Sequence, residues 1–429
     1  MTTLVLSNHN PLVEDLLVAR GNDVIVCLTR ANARARAASG PAYEVLEVTD
    51  WQAYDELAHL AKHLRGHVDQ IATCWEGAIV AAAFLRGLLG LTGQGVADAV
   101  AFTDKAVMKR RLAAAGIPVA RHQVVGSISE VPDAAKALGG WPVVIKPLRG
   151  FASTQTYVLR SGRDLAELSA RGVFDTDQAV AEAFRAESAF LGLEHQGEIL
   201  VEEYVPIIAE YHCDALWQDG LPLYNIPGRY SVPPLQGMGK TLGSWLVEPE
   251  SEEGRHVTGM AAAAAATLGM TDVDGFVHAE VFYAEDGRWL LGEIAARIGG
   301  GGIQPTIGLG YGIDVPGLVA AKAAGERVVV TPQRRPGTYG WAGTVVPPGR
   351  ITSIASRQQI LDSGHPAVVD ATVAAQVGME GGPTSTGLWA GLAGYVYLHG
   401  ERPADVRAAI LHDVPGMFAI SVDETASVR

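Results

Sequence analysis

The run Phe276-Val-His278-Ala-Glu280-Val-Phe-Tyr-Ala-Glu285-Asp286-Gly287-Arg288-Trp-Leu-Leu-Gly-Glu293-Ile-Ala-Ala-Arg297 decides how this chain is read. Two apolar runs flank Asp286-Gly287, a strong signal for a two-residue hairpin turn. With those residues as the turn, Glu285 faces Arg288, and counting outward sets Glu280 directly opposite Glu293. Strand side chains alternate, so His278 shares the face of Glu280 and Arg297 that of Glu293. Opposed carboxylates on a sheet repel each other. A hard divalent cation, Mg²⁺ or Mn²⁺, makes the pair favourable, because carboxylate and phosphate oxygens are its preferred ligands. The alternative is an exposed face with two solvated glutamates. The apolar character of both strands, and the glycines that follow, weigh against it.

Upstream, Lys146 ends an apolar strand, Val143-Val-Ile-Lys146-Pro147, where an ammonium needs a negative partner. The small residues of the next loop, Leu148 to Thr154 with Ser153 among them, allow backbone N–H groups to approach phosphate oxygens. The loop has one glycine, Gly150, and no Walker A pattern, so an ordinary turn with a snorkelling lysine is the alternative. Lys105 opens a helix that Thr103 or Asp104 caps and Gly116-Ile117-Pro118 stops. Glu202-Glu203-Tyr204-Val205 opens a strand. Its backbone could pair with an adenine edge, and Glu210 could accept from ribose hydroxyls. Taken singly, each acid reads as surface charge. Arg229, Tyr230, Lys240 and Trp245 lie in a Gly/Pro-rich segment that either lines a second substrate site or forms a surface loop.

The wider chain sets bounds. Its 429 residues suit two or three lobes. A net charge of −14 argues against a nucleic-acid surface, which needs a basic patch. Cys27, Cys74 and Cys213 show no CxxC spacing and read as buried reduced thiols. No segment reads as a signal peptide or membrane span, so a cytoplasmic location is expected. Short apolar runs at Leu4–Leu6, Val24–Leu28 and Ile71–Cys74, alternating with helical segments, predict an α/β domain. It is Rossmann-like in architecture only, because Ser7-Asn8-His9-Asn10-Pro11 lacks the glycine-rich turn of dinucleotide binders. That omission disfavours a dehydrogenase. An acidic helical stretch is expected to run toward Glu187, and the segment beyond Val328 reads as β-rich.

In order, these pieces resemble the ATP-grasp superfamily over essentially the whole chain. The resemblance rests on Thr-Asp-Lys105 with Gly116-Ile-Pro118, Val-Val-Ile-Lys146-Pro, Val-Glu202-Glu203-Tyr-Val with Glu210, His278-Ala-Glu280, and Glu293-Ile-Ala-Ala-Arg297-Ile-Gly-Gly. Within the superfamily it is most similar to the L-amino acid ligase branch of bacilysin-type dipeptide ligases and carnosine synthase. The resemblance implies an α/β ATP-grasp fold divided into a Rossmann-like domain (1–95), a linking helix (96–118), a lid (119–200), a catalytic core (201–327) and a β-rich C-terminal lobe (328–429).

It also implies roles. Lys105 and Lys146 contact the α- and β-phosphates of ATP, with Ser153 in the phosphate loop. Glu202 to Val205 form the adenine hinge and Glu210 binds ribose. Glu280 and Glu293 hold two Mg²⁺ ions, with Mn²⁺ as a substitute. Arg297 stabilises the transferring phosphoryl group, and His278 lies near the substrate carboxylate or phosphate. Apart from the resemblance, the glycines directly after Arg297, Gly300 and Gly301 among them, are expected to leave a roomy pocket for the substrate carboxylate, and Arg229 is the cation that could reach the second small-molecule substrate. Ala295 stands where many relatives carry an asparagine metal ligand, which leaves the number of ions open. The implied reaction joins a carboxylate to an amine through an acyl phosphate, with an amino acid or small peptide as substrate, in bacterial peptide or secondary-metabolite synthesis. A homodimer is left open. The rivals are other ATP-grasp chemistry, of the purine-pathway or D-alanine-ligase kind, and a nucleotide-binding regulator without catalysis.

Overall fold

The computed structural model describes residues 1–8, 10–36, 40, 42–151, 153–172, 174, 198–381 and 391–423. The acidic stretch toward Glu187 lies outside them. The first lobe is a parallel sheet in the order β3-β2-β1-β4, built from β1 (Thr2–Leu6), β2 (Asp23–Thr29), β3 (Glu44–Val48) and β4 (Gln70–Ala72). Three of these match the apolar runs. The fourth, β3, reads Glu-Val-Leu-Glu-Val and was not anticipated: it sits at the sheet edge, where burial is partial and an apolar run is not required.

The linking helix α1 (Lys105–Ala114) is capped by Asp104, whose carboxylate accepts from the Ala106 and Val107 N–H groups at 3.0 Å each. The lid sheet has the order β5-β8-β6-β7, from β5 (His122–Val125), β6 (Val143–Pro147), β7 (Tyr157–Leu159) and β8 (Ile199–Glu203). The boundary expected at 200/201 therefore falls inside β8, which is a lid strand.

An eight-stranded sheet carries the rest, in the order β13-β12-β9-β10-β11-β14-β18-β16. Its strands are β9 (Ile207–Gln218), β10 (Leu221–Tyr230), β11 (Leu242–Leu246), β12 (Gly275–Ala284), β13 (Trp289–Ala295), β14 (Thr338–Val345), β16 (Val368–Val373) and β18 (Leu392–Gly400). The expected core and C-terminal lobe share this one sheet through the β11–β14 pairing, so residue 328 marks no break in it. A small sheet of β15 (Gly349–Ser353), β17 (Glu380–Gly381) and β19 (Ser421–Asp423) lies beyond. Helix α2 (Glu252–Thr267) covers the central sheet with its alanines.

The glycine-dense segment after Arg297 contains helix α3 (Ile303–Tyr311). Its Ile303 and Ile307 are buried with Val5, Val26 and Leu28 of the first lobe and Trp341 of β14. Each such buried aliphatic side chain contributes about 1.5–3 kcal/mol. One apolar cluster thus fixes the N-terminal lobe against the central sheet. Among the described residues, no helix is long and apolar enough to cross a membrane. The three cysteines are free thiols.

The hairpin pairs Glu280 with Glu293, as the sequence predicts, but by a different route. The turn is a three-residue loop, Glu285 to Gly287, closed by the Ala284 N–H donating to the Arg288 carbonyl at 2.9 Å. Gly287 takes φ +83°, the left-handed conformation such loops require. Tyr283 consequently faces Trp289, one residue out of the simple count. A bulge at Gly292 restores the register before Glu280. A side chain is excluded there, since a Cβ on Gly292 would lie 2.4 Å from the Phe282 ring.

Candidate active site

The lid, the hairpin, the N-terminal lobe and the loop after Arg297 enclose a cavity of about 1170 Å³. Lys105, Lys146, Ser153, Glu202, Glu203, Tyr204, Val205, Glu210, His278, Glu280, Glu293, Arg297, Gly300 and Gly301 all line it. Arg229 does not, which corrects the expectation for it. It alternates with Tyr230 on β10, and Tyr230 takes the cavity face. The Arg229 guanidinium is held by Glu253 at 3.0 Å and lies over the Tyr211 and Trp245 rings. Neither Lys240 nor Trp245 lines the cavity; Trp245 is buried in the core of the C-terminal part.

Three strands build the floor. Glu293 of β13, Glu280 of β12 and His212 of β9 stand in one row of the register, and Ala295, His278 and Asp214 in the next. Glu210 lies one step further along β9 on the same face. Glu210, Glu280 and Glu293 therefore converge. Burial and the charges of Glu280 and Glu293 push the Glu210 carboxyl well above its ordinary range. Burial would raise Glu280 too, but the neighbouring His278 and the charges of Arg297 and Lys146 bring it below that range. Glu280 and Glu293 are directly paired in the register, and carboxylate oxygens are the donors a hard divalent cation such as Mg²⁺ prefers.

Cations face these acids. The Lys105 ammonium is 3.0 Å from Glu293 and donates to the Gly150 carbonyl across the cavity. The loop here bends sharply, with Ser153 at φ +56° and Gln155 at φ +53°. Lys146 has the negative partner its position demands: Glu202, at 3.0 Å. Glu202 also binds Lys109 at 2.9 Å. Burial alone would raise its carboxyl, yet the two ammoniums bring it down to about 2. Its side chain is therefore committed to an internal ion triad with Lys109 and Lys146. The Glu203 carboxylate turns to Arg121 at 2.8 Å and Arg288 at 3.7 Å.

At the other end, Arg297 donates to Glu76 of the N-terminal lobe at 2.7 Å and to the carbonyl of Ile298 at 3.0 Å. Burial, with the negative charge of Glu293, raises the Glu76 carboxyl against the pull of Arg297 and Lys105. Gly301 and Gly302 lie against Trp341, where a Cβ on either would come within 2.7 Å of the indole. The small residues thus admit a large ring from β14 to the cavity wall instead of leaving open space. His278 Nδ1 donates to Asp214 at 3.1 Å, and the ring lies 3.8 Å from Glu280. Burial would lower its pKa, but Asp214 and Glu280 raise it to about 9.

Glu76, His212 and Asp214 escaped the sequence reading. The alternation Glu210-Tyr-His212-Cys-Asp214 was a usable signal, since it puts three titratable side chains on one strand face. Nothing local singles out Glu76.

An ATP-grasp domain model matches residues 140–305. An L-arginine-specific L-amino acid ligase of Bacillus subtilis is 30% identical over 250 residues, 58% of this chain and 56% of that protein. A D-alanine–D-alanine ligase of Streptomyces griseus is 27% identical over 296 residues, 62% of this chain and 68% of that one. The first match thus spans little more than half the relative's length. Among solved structures, an L-amino acid ligase from Bacillus licheniformis superposes with a TM-score of 0.75 at 17% identity, covering 98% of both chains. Phosphoribosylglycinamide synthetase from Anaerococcus prevotii follows at 0.65, covering 98% and 99%. Residues 140–305 are thus similar to an ATP-grasp domain, and the fold as a whole is shared with the L-amino acid ligase of Bacillus licheniformis.

Proposed function

We propose that this ATP-grasp chain is an ATP-dependent carboxylate–amine ligase that activates one amino acid as an acyl phosphate and joins it to the amine of a second. The observation that carries this reading is the Glu280–Glu293 pair on the cavity floor with Arg297 beyond it. A nucleotide-binding regulator has no need of an arginine at the transfer position. The sequence similarity to an L-arginine-specific L-amino acid ligase and a D-alanine–D-alanine ligase supports a peptide bond over purine-pathway chemistry.

In this reading ATP enters with its base against the backbone of Glu203 to Val205. Lys105 and Lys146 hold its phosphates, and Ser153 lies at their loop. Glu280 and Glu293, with Glu210 beside them, would hold Mg²⁺, which would draw charge off the phosphate oxygens. We assign Glu210 to this carboxylate group as well as to ribose, because it stands on the same strand face as the other two acids. A substrate carboxylate oxygen then bonds to the γ-phosphorus as the bond to ADP breaks. Arg297 neutralises the charge that develops on the transferring group. His278 orients the carboxylate. The amine nitrogen next bonds to the acyl carbon, the acyl–phosphate bond breaks, and inorganic phosphate leaves with the amide formed. The lid and the N-terminal lobe exclude water, which would otherwise hydrolyse the acyl phosphate.

A screen of amino acid pairs with Mg-ATP, reading phosphate release and dipeptide formation, tests the proposal. Pair-dependent release with a matching dipeptide is expected. Release from no pair would count against a dipeptide ligase.

A further inference from the structure

Asp214 lies beneath the substrate end of the cavity, 2% exposed, and accepts from four donors. Its Oδ2 meets His212 Nδ1 at 2.7 Å. Its Oδ1 meets His278 Nδ1 at 3.1 Å, the Gly299 backbone N–H at 3.1 Å and the Gln304 side-chain amide at 3.3 Å. The outer nitrogen of His212 is in turn bonded to Ser244 at 2.9 Å. One buried carboxylate therefore ties strands β9, β11 and β12 to the loop after Arg297 and to α3.

We propose that Asp214 is a positioning residue for the transfer chemistry: it fixes the His278 ring and the Arg297–Gly302 turn in one mutual arrangement. This rests on the ligase reading above for its catalytic consequence. With both lone-pair regions of Asp214 taken by donors, each histidine presents Nδ1–H to the carboxylate. His278 then turns Nε2 toward the cavity, 3.8 Å from Glu280. Arg297 is clamped from two sides: Glu76 binds its guanidinium, and Asp214 binds the backbone two residues later. Gly299 is a packing requirement of the clip, since a Cβ there would lie 2.3 Å from Asp214 Oδ1 and 2.8 Å from His278 Nδ1. His212, Asp214 and His278 are also close enough to be considered as metal ligands. Each is instead at hydrogen-bonding distance from another protein group, and Ser244 occupies the remaining nitrogen of His212. Groups that orient a site histidine from behind commonly cost 10–100-fold when removed.

The test has three arms. Asp214→Asn should lower kcat for pair-dependent ATP turnover about 10–100-fold, with the KM for ATP within about twofold, because Asp214 is remote from the hinge. Combined with His278→Asn, the total loss should fall short of the product of the two single losses, because part of the Asp214 effect runs through His278 and the rest through the turn. Gly299→Ala leaves every titratable group in place and should give the same kcat defect if the clip is what matters. In the wild-type protein, proton NMR should show two slowly exchanging downfield imidazole N–H signals. A wild-type spectrum with neither signal, a folded Asp214→Asn enzyme with unchanged kcat, or losses that multiply in the double variant would overturn the proposal. The NMR arm needs no substrate, so a chain that turns over no amino acid pair would defeat the ligase reading while the clip is still decided.

Discussion

Replacing Glu202 by glutamine should destabilise the protein by about 3 kcal/mol at neutral pH. Glu202 is 5% exposed and sits between Lys109 at 2.9 Å and Lys146 at 3.0 Å. Two routes give the magnitude. A carboxyl brought from the usual 4.5 down to about 2 contributes about 3 kcal/mol where it is ionised in both folded and unfolded chains. Removing one partner of a buried ion pair costs about 3–5 kcal/mol, because the other charge is left uncompensated. Loss of the Lys109 proton caps the cost near the lower figure, since burial already lowers the pKa of that ammonium. The sign with pH follows from the depressed carboxyl. Its contribution is fully present above pH 4.5 and is lost as pH falls toward 2. Thermal denaturation of wild type and variant at pH 7 should differ by about 6–12 °C for a lobe of this size, and the gap should narrow steadily in acid. A variant within about 1 kcal/mol of wild type at pH 7, or a gap that widens as pH falls, would refute the triad as a stabilising unit.

Glu293→Gln removes one of the facing carboxylates and the partner of Lys105, and should lower pair-dependent phosphate release by at least about 100-fold. Intact turnover in that variant would break the metal assignment. Arg229→Ala should leave kcat and the KM for ATP within about twofold, because its guanidinium is spent on Glu253 outside the cavity; a tenfold rise in either substrate's KM would return Arg229 to the site. Gly292→Ala should cost about 1–3 kcal/mol by forcing a methyl into the Phe282 ring. Urea denaturation measures it, and a neutral result would mean the hairpin bulge moves freely.

The hairpin was legible because its signal is local: apolar alternation, a turn and two acids at fixed distance. Even so, its register came out right through two cancelling offsets, a three-residue loop where two were counted and a bulge at Gly292. Sequence spacing fixes which residues share a face and leaves small insertions invisible. The lysines were legible as cations in awkward places, but not their partners. Glu202 was read together with Glu203 to Val205 because the four are contiguous in sequence. Only the packing of α1 against the hairpin and β8 brings Lys109 to its carboxylate. Arg229 failed for the simplest reason, that its strand turned the other face inward. Helix α3 was hidden because glycine-rich sequence predicts a loop, whereas here Gly310 lets the helix approach Leu246 and Tyr339 closely.

The N-terminal lobe has the architecture of a nucleotide binder without the glycine turn, and the structure gives it a different task. Trp75 packs edge-on against Phe151 of the phosphate loop with ring centroids 4.8 Å apart, and the adjacent Glu76 holds Arg297. Two successive residues after β4 thus touch two parts of the cavity that the proposed reaction would need to bring together: the loop after β6 and Arg297. Asp214 holds the same turn from below. An arginine with five donors and several rotatable bonds needs such restraint, because a displacement of about 1 Å at the reacting group can cost about 100-fold in rate. The N-terminal lobe therefore forms a third wall of the cavity. Its apolar docking through Val5, Val26 and Leu28 onto α3 is what keeps that wall in register with the hairpin.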